Sequence, residues 1–117
     1  ERRRSHAKYY DSRLKPAGFK VIEPYAKASG VYHLYVVEMS NRDETLSHLQ
    51  RAGIGAGIHY PVPLHLQPAL TAQGGYRAEL PQTEQAAERV LSLPMCADLT
   101  ADEAAKVCDT FLAVARP

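Results

Sequence analysis

The feature that most constrains the fold of this chain is one nearly continuous apolar run, VYHLYVVEM, at residues 31–39. Its β-branched and aromatic residues are typical of a β-strand, and the lack of polar alternation predicts burial on both faces. A chain of 117 residues can bury such a strand in one domain with a modest core. We therefore expect a single domain, residues 1–117, built around this strand.

A helix is predicted at the very start of the chain. The segment ERRRSHAKYYDSRL (1–14) places Ala7, Tyr10 and Leu14 on one face, at the spacing of an amphipathic helix. The helix begins at Glu1 with no cap before it and no initiator methionine. We therefore expect the chain to be a piece of a longer protein.

The later helices carry their own start and stop signals. Asn41 and Glu44 have the spacing of a capping box, and Gly53 is placed to end that helix in a left-handed conformation. Thr100 and Glu103 repeat the capping-box spacing before the last helix. With a middle helix over TEQAAERVL (83–91), the core-facing residues are expected to be Leu46, Leu49, Ala86, Ala87, Val90, Leu91, Val107, Cys108, Phe111, Leu112 and Ala115.

Three shorter segments are predicted to join the central strand in a sheet. VIEPYA (21–26) is limited to an edge, because Pro24 cannot donate a ladder hydrogen bond. GAGIHY (55–60) follows the central strand after a helical crossover, and LSLPM (91–95) could insert between these two strands, antiparallel to both. The element order predicts an α+β fold, a small mixed β-sheet of three to four strands with helices packed on it.

Composition and charge disfavour several classes of function. The chain has 14 basic and 13 acidic residues, and Arg2, Arg3 and Arg4 form its only basic run, so no nucleic-acid partner is expected. No apolar run approaches the roughly 20 residues that span a bilayer, so no membrane is expected. Cys96 and Cys108 do not make a disulfide framework, which favours a cytoplasmic location.

A proline-rich segment, GIHYPVPLHLQP (57–68), gathers the polar candidates His59, Tyr60, His65 and Gln67. Its prolines fix φ and remove N–H donors, which predicts a stiff loop that presents these side chains at low entropic cost. No metal site is expected, because the two histidines lie six residues apart without a nearby Cys, Asp or Glu. Neither a nucleophile beside a histidine nor a phosphate-binding glycine loop before a helix is visible. From the residues alone the loop is either a hydrogen-bonding wall for a ligand or a polar loop with satisfied histidines.

Four strings of residues lie in order along almost the whole chain. They are R-x-x-x-A-x-x-Y-x-x-x-L at the start, YHLYVV (32–37), L-x-x-x-GI-x-x-x-IHYPVPLHLQPAL (49–70) and A-x-x-VLSLPM (87–95). Together they resemble the DegT/DnrJ/StrS family, pyridoxal-phosphate-dependent nucleotide-sugar aminotransferases of fold type I. The resemblance implies that residues 1–117 are the C-terminal small domain of such an enzyme, without its large cofactor-binding domain.

The resemblance also implies that the cofactor machinery lies in that larger, preceding domain. There the family carries the lysine that bonds the cofactor, the carboxylate that pairs the pyridine nitrogen and most phosphate contacts. None of the lysines here has the context of that lysine; they are Lys8, Lys15, Lys20, Lys27 and Lys106. We therefore expect no catalytic residue in this chain, no bound cofactor and no activity for the chain alone, whereas the intact parent binds pyridoxal phosphate.

For the polar loop, the resemblance implies a position at the cleft between the two domains. His59, Tyr60, His65 and Gln67 would then be substrate-binding residues that donate to sugar hydroxyls or diphosphate, and Arg77 is a positional candidate for the donor carboxylate. The implied reaction is transamination from glutamate to a nucleotide-activated keto-sugar. Exposed apolar residues at 61–70 are expected to favour a homodimer. Two alternatives remain: a sugar dehydratase of the same family, and a free-standing interaction domain without catalysis.

Overall fold

The computed structural model describes residues 1–72 and 78–117. In chain order these residues form α1 (Arg2–Leu14), β1 (Lys20–Val21), β2 (Tyr35–Glu38), α2 (Arg42–Arg51), a 3-10 turn (Leu64–Leu66), α3 (Pro68–Thr71), α4 (Pro81–Arg89), β3 (Val90–Leu93) and α5 (Ala101–Leu112). The strands make an antiparallel sheet in the order β1-β2-β3. This architecture confirms the predicted α+β class.

The central strand, β2, has one buried face and one partly exposed face. Tyr35 and Val37 enter the core opposite Leu93 and Leu91 of β3. Val36 lies on the other face, which we call the outer face. The prediction of burial on both faces is therefore wrong, because the strand belongs to an antiparallel sheet whose second face remains partly open.

Two predicted strands are shorter in the structure than their sequence patterns. The run 31–39 narrows to β2 because Tyr32 has a φ of 48°, a left-handed conformation that interrupts an extended chain. The segment 21–26 contributes only its first residue to β1, and Pro24 lies beyond the strand end. Its predicted place at the edge of the sheet is confirmed.

The predicted strand over 55–60 is wrong. The segment makes a single bridge, in which Gly57 and Ser92 exchange two backbone hydrogen bonds of 2.8 and 3.1 Å. Pro61 and Pro63 follow and have no N–H to donate, so a ladder cannot continue along this segment. β3 does lie between β2 and the bridge, antiparallel to both, as predicted. The sheet of the described residues is antiparallel throughout, so the predicted mixed pairing is wrong, whereas the predicted number of three to four strands is confirmed.

The two predicted capping boxes have different outcomes. Thr100 Oγ1 accepts from the N–H of Glu103 at 3.2 Å, and Glu103 Oε2 accepts from the N–H of Thr100 at 2.8 Å, which confirms the box before α5. The box before α2 is wrong: Asn41 accepts from the N–H of Arg116 at 2.8 Å and donates to the carbonyl of Val114 at 2.9 Å. The Asn41 amide therefore holds the C-terminal tail, and it meets the start of α2 only through the side chains of Glu44 and Thr45, at 2.9 and 3.3 Å.

One apolar core joins α1, β2, β3, α2 and α5. From α1 it receives Ala7, Tyr10 and Leu14, as their spacing predicted. Gly53 follows α2 with a φ of 75°, which confirms the predicted left-handed helix end. Within residues 1–72 and 78–117, no helix has the length and apolar character needed to cross a bilayer.

Candidate functional site

The outer face of the sheet carries an open groove of about 440 Å³, a volume typical of small-molecule sites. Its floor is the sheet, one wall is the loop of residues 59–67, which we call the wall loop, and the other wall is α4. Ile22, Val36 and Val90 line the floor, and Thr83, Ala86 and Ala87 line the α4 wall. Three of the four predicted substrate residues, His59, Tyr60 and Gln67, line the groove from the wall loop, and His65 does not.

His59 is held against the middle of the sheet. Its Nδ1 lies 3.0 Å from Oγ of Ser92, the β3 residue that also bridges to Gly57. A side chain at Gly57 would crowd this arrangement, since a Cβ there would lie 3.3 Å from Cε1 of His59. Among the described residues, Nε2 of His59 has no hydrogen-bond partner. The histidine therefore combines a structural contact at one ring nitrogen with a second nitrogen available to a ligand.

Tyr60 and Gln67 stand at the two ends of the wall loop. Tyr60 is 75% exposed, and its ring meets that of His59 edge-on with centroids 5.8 Å apart. Gln67 Nε2 donates to the carbonyl of Val62 at 3.0 Å, which closes the loop on itself. Both residues line the groove with a hydroxyl or an amide, groups that hydrogen-bond sugar hydroxyls.

His65 belongs to the wall loop, but its side chain is buried and does not line the groove. It is 6% exposed, and its Nε2 lies 3.0 Å from Oε1 of Glu84 in α4. The same carboxylate oxygen accepts from the N–H of Leu80 at 3.2 Å. The hydrogen bond from His65, and then that from Leu80, lower the pKa of Glu84 below its ordinary value. The carboxylate is therefore charged at neutral pH, and His65 donates to it.

The two partners that hold the histidines, Ser92 and Glu84, are not among the residues predicted from the sequence. Ser92 was visible as the one polar residue in the apolar string VLSL, and a lone hydroxyl in a buried strand needs a hydrogen-bond partner. Glu84 gave no comparable signal, because an acidic residue in the first turn of a helix is common on electrostatic grounds alone. Arg77, the candidate for the donor carboxylate, lies outside the described residues.

The groove does not fit pyridoxal phosphate by itself. That cofactor needs a lysine for its aldehyde and cations or N–H groups for its phosphate. Among the described residues that line the groove there is no lysine or arginine. Lys15 pairs with Asp11 and Glu23, and Lys20 pairs with Glu38. In the part of the chain that the structure describes, no group of three His, Cys, Asp or Glu residues is arranged to hold a metal ion.

Comparison with protein families identifies the chain. The model of the DegT/DnrJ/EryC1/StrS aminotransferase family matches residues 1–112. The chain belongs to this family. The resemblance read from the sequence is therefore confirmed, and it extends over almost the whole chain.

Two curated relatives show the kind of enzyme to which this family member is similar. The dTDP-3-amino-3,4,6-trideoxy-alpha-D-glucose transaminase of Streptomyces venezuelae is 43% identical over 79 residues, which cover 68% of this chain and 21% of that protein. The UDP-2-acetamido-2-deoxy-3-oxo-D-glucuronate aminotransferase of Pseudomonas aeruginosa is 38% identical over 95 residues, covering 80% of this chain and 25% of that protein. This family member thus spans only about a quarter of its relatives' length.

A solved structure agrees with the sequence relatives. S. venezuelae DesV superposes with a TM-score of 0.86 at 36% identity, and the match covers 96% of this chain and 30% of DesV. The predicted fold, that of a fold-type I aminotransferase, is confirmed.

Proposed function

We propose that this family member is the C-terminal small domain of a cytoplasmic, pyridoxal-phosphate-dependent aminotransferase, which transfers an amino group from glutamate to a nucleotide-activated keto-sugar. The family match over residues 1–112 and the transaminase names of the relatives support the reaction class. The observation that carries the proposal is the groove, in which His59, Tyr60 and Gln67 meet on one wall.

In this proposal the cofactor belongs to the part of the parent that precedes this chain. The groove has no described lysine or arginine to bond the cofactor's aldehyde or neutralise its phosphate. The chain covers 21% and 25% of the two curated relatives, so most of each relative's length lies outside the match. This chain therefore contributes to the substrate side of the site and has no transaminase activity alone.

The polar side chains that line the groove would orient the keto-sugar. His59 contributes Nε2, Tyr60 its hydroxyl and Gln67 its amide, each a group that hydrogen-bonds a sugar hydroxyl or a diphosphate oxygen. Val36 and Val90 of the floor offer an apolar surface to the C–H face of the sugar ring. His65 contributes indirectly, because it does not line the groove and its ring is bonded to Glu84.

Exposed apolar side chains indicate which surface the rest of the enzyme covers. They cluster on the wall loop and the segments after it; the exposed members are Tyr60, Val62, Leu64, Leu66, Leu70 and Leu80. An apolar surface of this kind marks an interface. We assign it to the preceding domain and to the second protomer of a homodimer.

The test uses the parent enzyme, loaded with pyridoxal phosphate, in two separate half-reactions. Glutamate should convert the cofactor to its amine form, and a keto-sugar nucleotide should then regenerate the aldehyde form with release of an amino-sugar. Loss of water from the sugar without amine transfer would favour the dehydratase alternative. The 117-residue chain mixed with pyridoxal phosphate should develop no saturable visible absorption band; a band abolished by replacing one lysine would overturn the proposal.

A further inference from the structure

The 3-10 turn of the wall loop buries its polar residue and exposes its apolar ones. His65 is 6% exposed, whereas Leu64 and Leu66 on either side are 76% and 46% exposed. Burial favours leucine over imidazole, and a buried imidazole without a partner is destabilising. Within this chain alone, where Leu64 and Leu66 are exposed, hydrophobicity would turn the loop the other way, so a polar interaction is needed to hold the observed orientation.

That interaction is the hydrogen bond between His65 and Glu84. Among the described residues of the segment 61–72, His65 makes the one hydrogen bond to a residue outside the segment. The other bonds are local, such as Gln67 Nε2 to the carbonyl of Val62. Within the segment 61–72, hydrogen bonding to the rest of the fold thus rests on a single carboxylate.

Glu84 itself is anchored independently of the histidine. α4 begins at Pro81 after Leu80, which has no side-chain oxygen to cap the helix. Glu84 reaches back to this residue, since its Oε1 accepts from the N–H of Leu80 at 3.2 Å. The carboxylate is therefore held at the start of α4, where a positive helix end also favours it, before it receives His65.

The hydrogen bond between His65 and Glu84 joins the wall loop to α4, the two walls of the groove, although neither residue lines the groove. Tyr60 and Gln67 line the groove from the wall loop, and Thr83 lines it from the first turn of α4. We propose that Glu84 is a positioning residue: through His65 it sets the distance between the wall loop and α4 and keeps Tyr60 and Gln67 directed into the groove. The proposal deepens, and rests on, the proposed use of this groove for the sugar nucleotide.

The experiment compares variants of the full-length parent in two ways. Glu84→Ala should raise KM for the keto-sugar nucleotide on the order of tenfold, with glutamate loading of the cofactor unchanged, because a hydrogen bond to a charged group is lost. Glu84→Gln keeps a carbonyl acceptor for His65, so its KM should lie close to the wild-type value. The matched control is Glu88→Ala, which removes an exposed carboxylate from the same helix and should change neither half-reaction.

Amide hydrogen exchange in the same full-length variants does not depend on activity. The amides of Leu66 and Gln67, bonded to the carbonyls of Pro63 and Leu64, should exchange on the order of tenfold faster in Glu84→Ala and at the wild-type rate in Glu88→Ala. If exchange is faster in Glu84→Ala but the wild-type parent does not turn over a keto-sugar nucleotide, the proposed function is overturned. The positioning of the wall loop by the His65–Glu84 hydrogen bond is then still supported.

A second variant covers the case in which Glu84→Ala does not fold. His65→Asn breaks the same hydrogen bond from the wall loop and leaves the bond between Glu84 and the N–H of Leu80 in place, so it should show the same rise in KM and the same faster exchange. Unchanged exchange at Leu66 and Gln67 in a folded variant of either residue would overturn the positioning role. Equal losses of glutamate loading and keto-sugar turnover would overturn it as well, since they indicate a general structural defect.

Discussion

Nδ1 of His59 lies 3.0 Å from Oγ of Ser92, and this contact joins the proline-rich loop to the middle of the sheet. Ser92 is buried in β3, and its backbone also bridges to Gly57. The serine therefore holds the loop at two points, through its main chain and through its hydroxyl. The groove depends on this anchor, because His59 lines it.

Ser92→Ala should lower the free energy of unfolding by about 0.5–1.5 kcal/mol, because it removes the buried hydroxyl that bonds His59. Chemical denaturation of the parent measures the change. Ser12→Ala serves as a control, since that exposed hydroxyl makes only a local bond to the carbonyl of Tyr9 and its loss should have little effect. Equal stability of the Ser92 variant and wild type would show that the contact does not hold the loop.

Gly57→Ala should displace the His59 ring by a few tenths of an ångström or more. The new Cβ would lie 3.3 Å from Cε1 of His59, tighter than ordinary packing allows. The matched control is Gly55→Ala, where a Cβ would meet no atom within 4 Å. The NMR shift of the His59 Cε1 proton should move in the first variant alone, and KM for the keto-sugar should rise with it. A shift of the same size in both variants would contradict the steric argument.

Gln67→Ala in the parent enzyme should weaken keto-sugar turnover about threefold to tenfold in kcat/KM, the loss expected from one neutral hydrogen bond. Cofactor loading by glutamate should be unchanged, because in our proposal the cofactor is held by the preceding domain. Gln85→Ala, which removes an exposed amide from α4, is the control. If Gln67→Ala leaves keto-sugar turnover intact, the wall loop is structural and does not contact the substrate.

Asn41→Ala should lower the free energy of unfolding by about 1–3 kcal/mol, because its amide both accepts from Arg116 and donates to Val114 of the C-terminal tail. Thermal unfolding measures the change, and amide exchange of the tail should accelerate with it. Ser40→Ala removes a single side-chain bond to the same tail and should cost less. A larger loss in the serine variant would assign the anchoring of the tail to Ser40.

The two cysteines should differ in reactivity toward a thiol reagent such as Ellman's reagent. Cys96 is exposed, whereas Cys108 is buried and burial raises the pKa of its thiol to about 11. At pH 8 the native chain should release one equivalent of product, and the denatured chain two. Cys96→Ser should release none until it unfolds. Two equivalents from the native protein would show that α5 opens readily.

Local features of the fold could be predicted from the sequence. The helix face of Ala7, Tyr10 and Leu14 follows from apolar spacing, and the cap formed by Thr100 and Glu103 follows from a three-residue interval. These predictions hold because the interacting groups lie within one or two turns of chain. Only one wall of the groove could be predicted from the sequence. The polar residues of the wall loop stand out in a proline-rich segment, whereas the α4 wall opposite them carries no distinctive residue.

Short-range spacing and motifs are thus sufficient to predict the helices, the α+β class and the family, but not the extent of the strands, since residues 55–60 form only a bridge. The partner of each polar side chain depends on the tertiary fold. Asn41 bonds a tail 75 residues away, His59 a serine 33 residues away and His65 a glutamate 19 residues away. Local sequence patterns cannot predict these long-range partners. A distant group comes within hydrogen-bond distance only once the core has formed, and it then competes with the local partners of the same side chain.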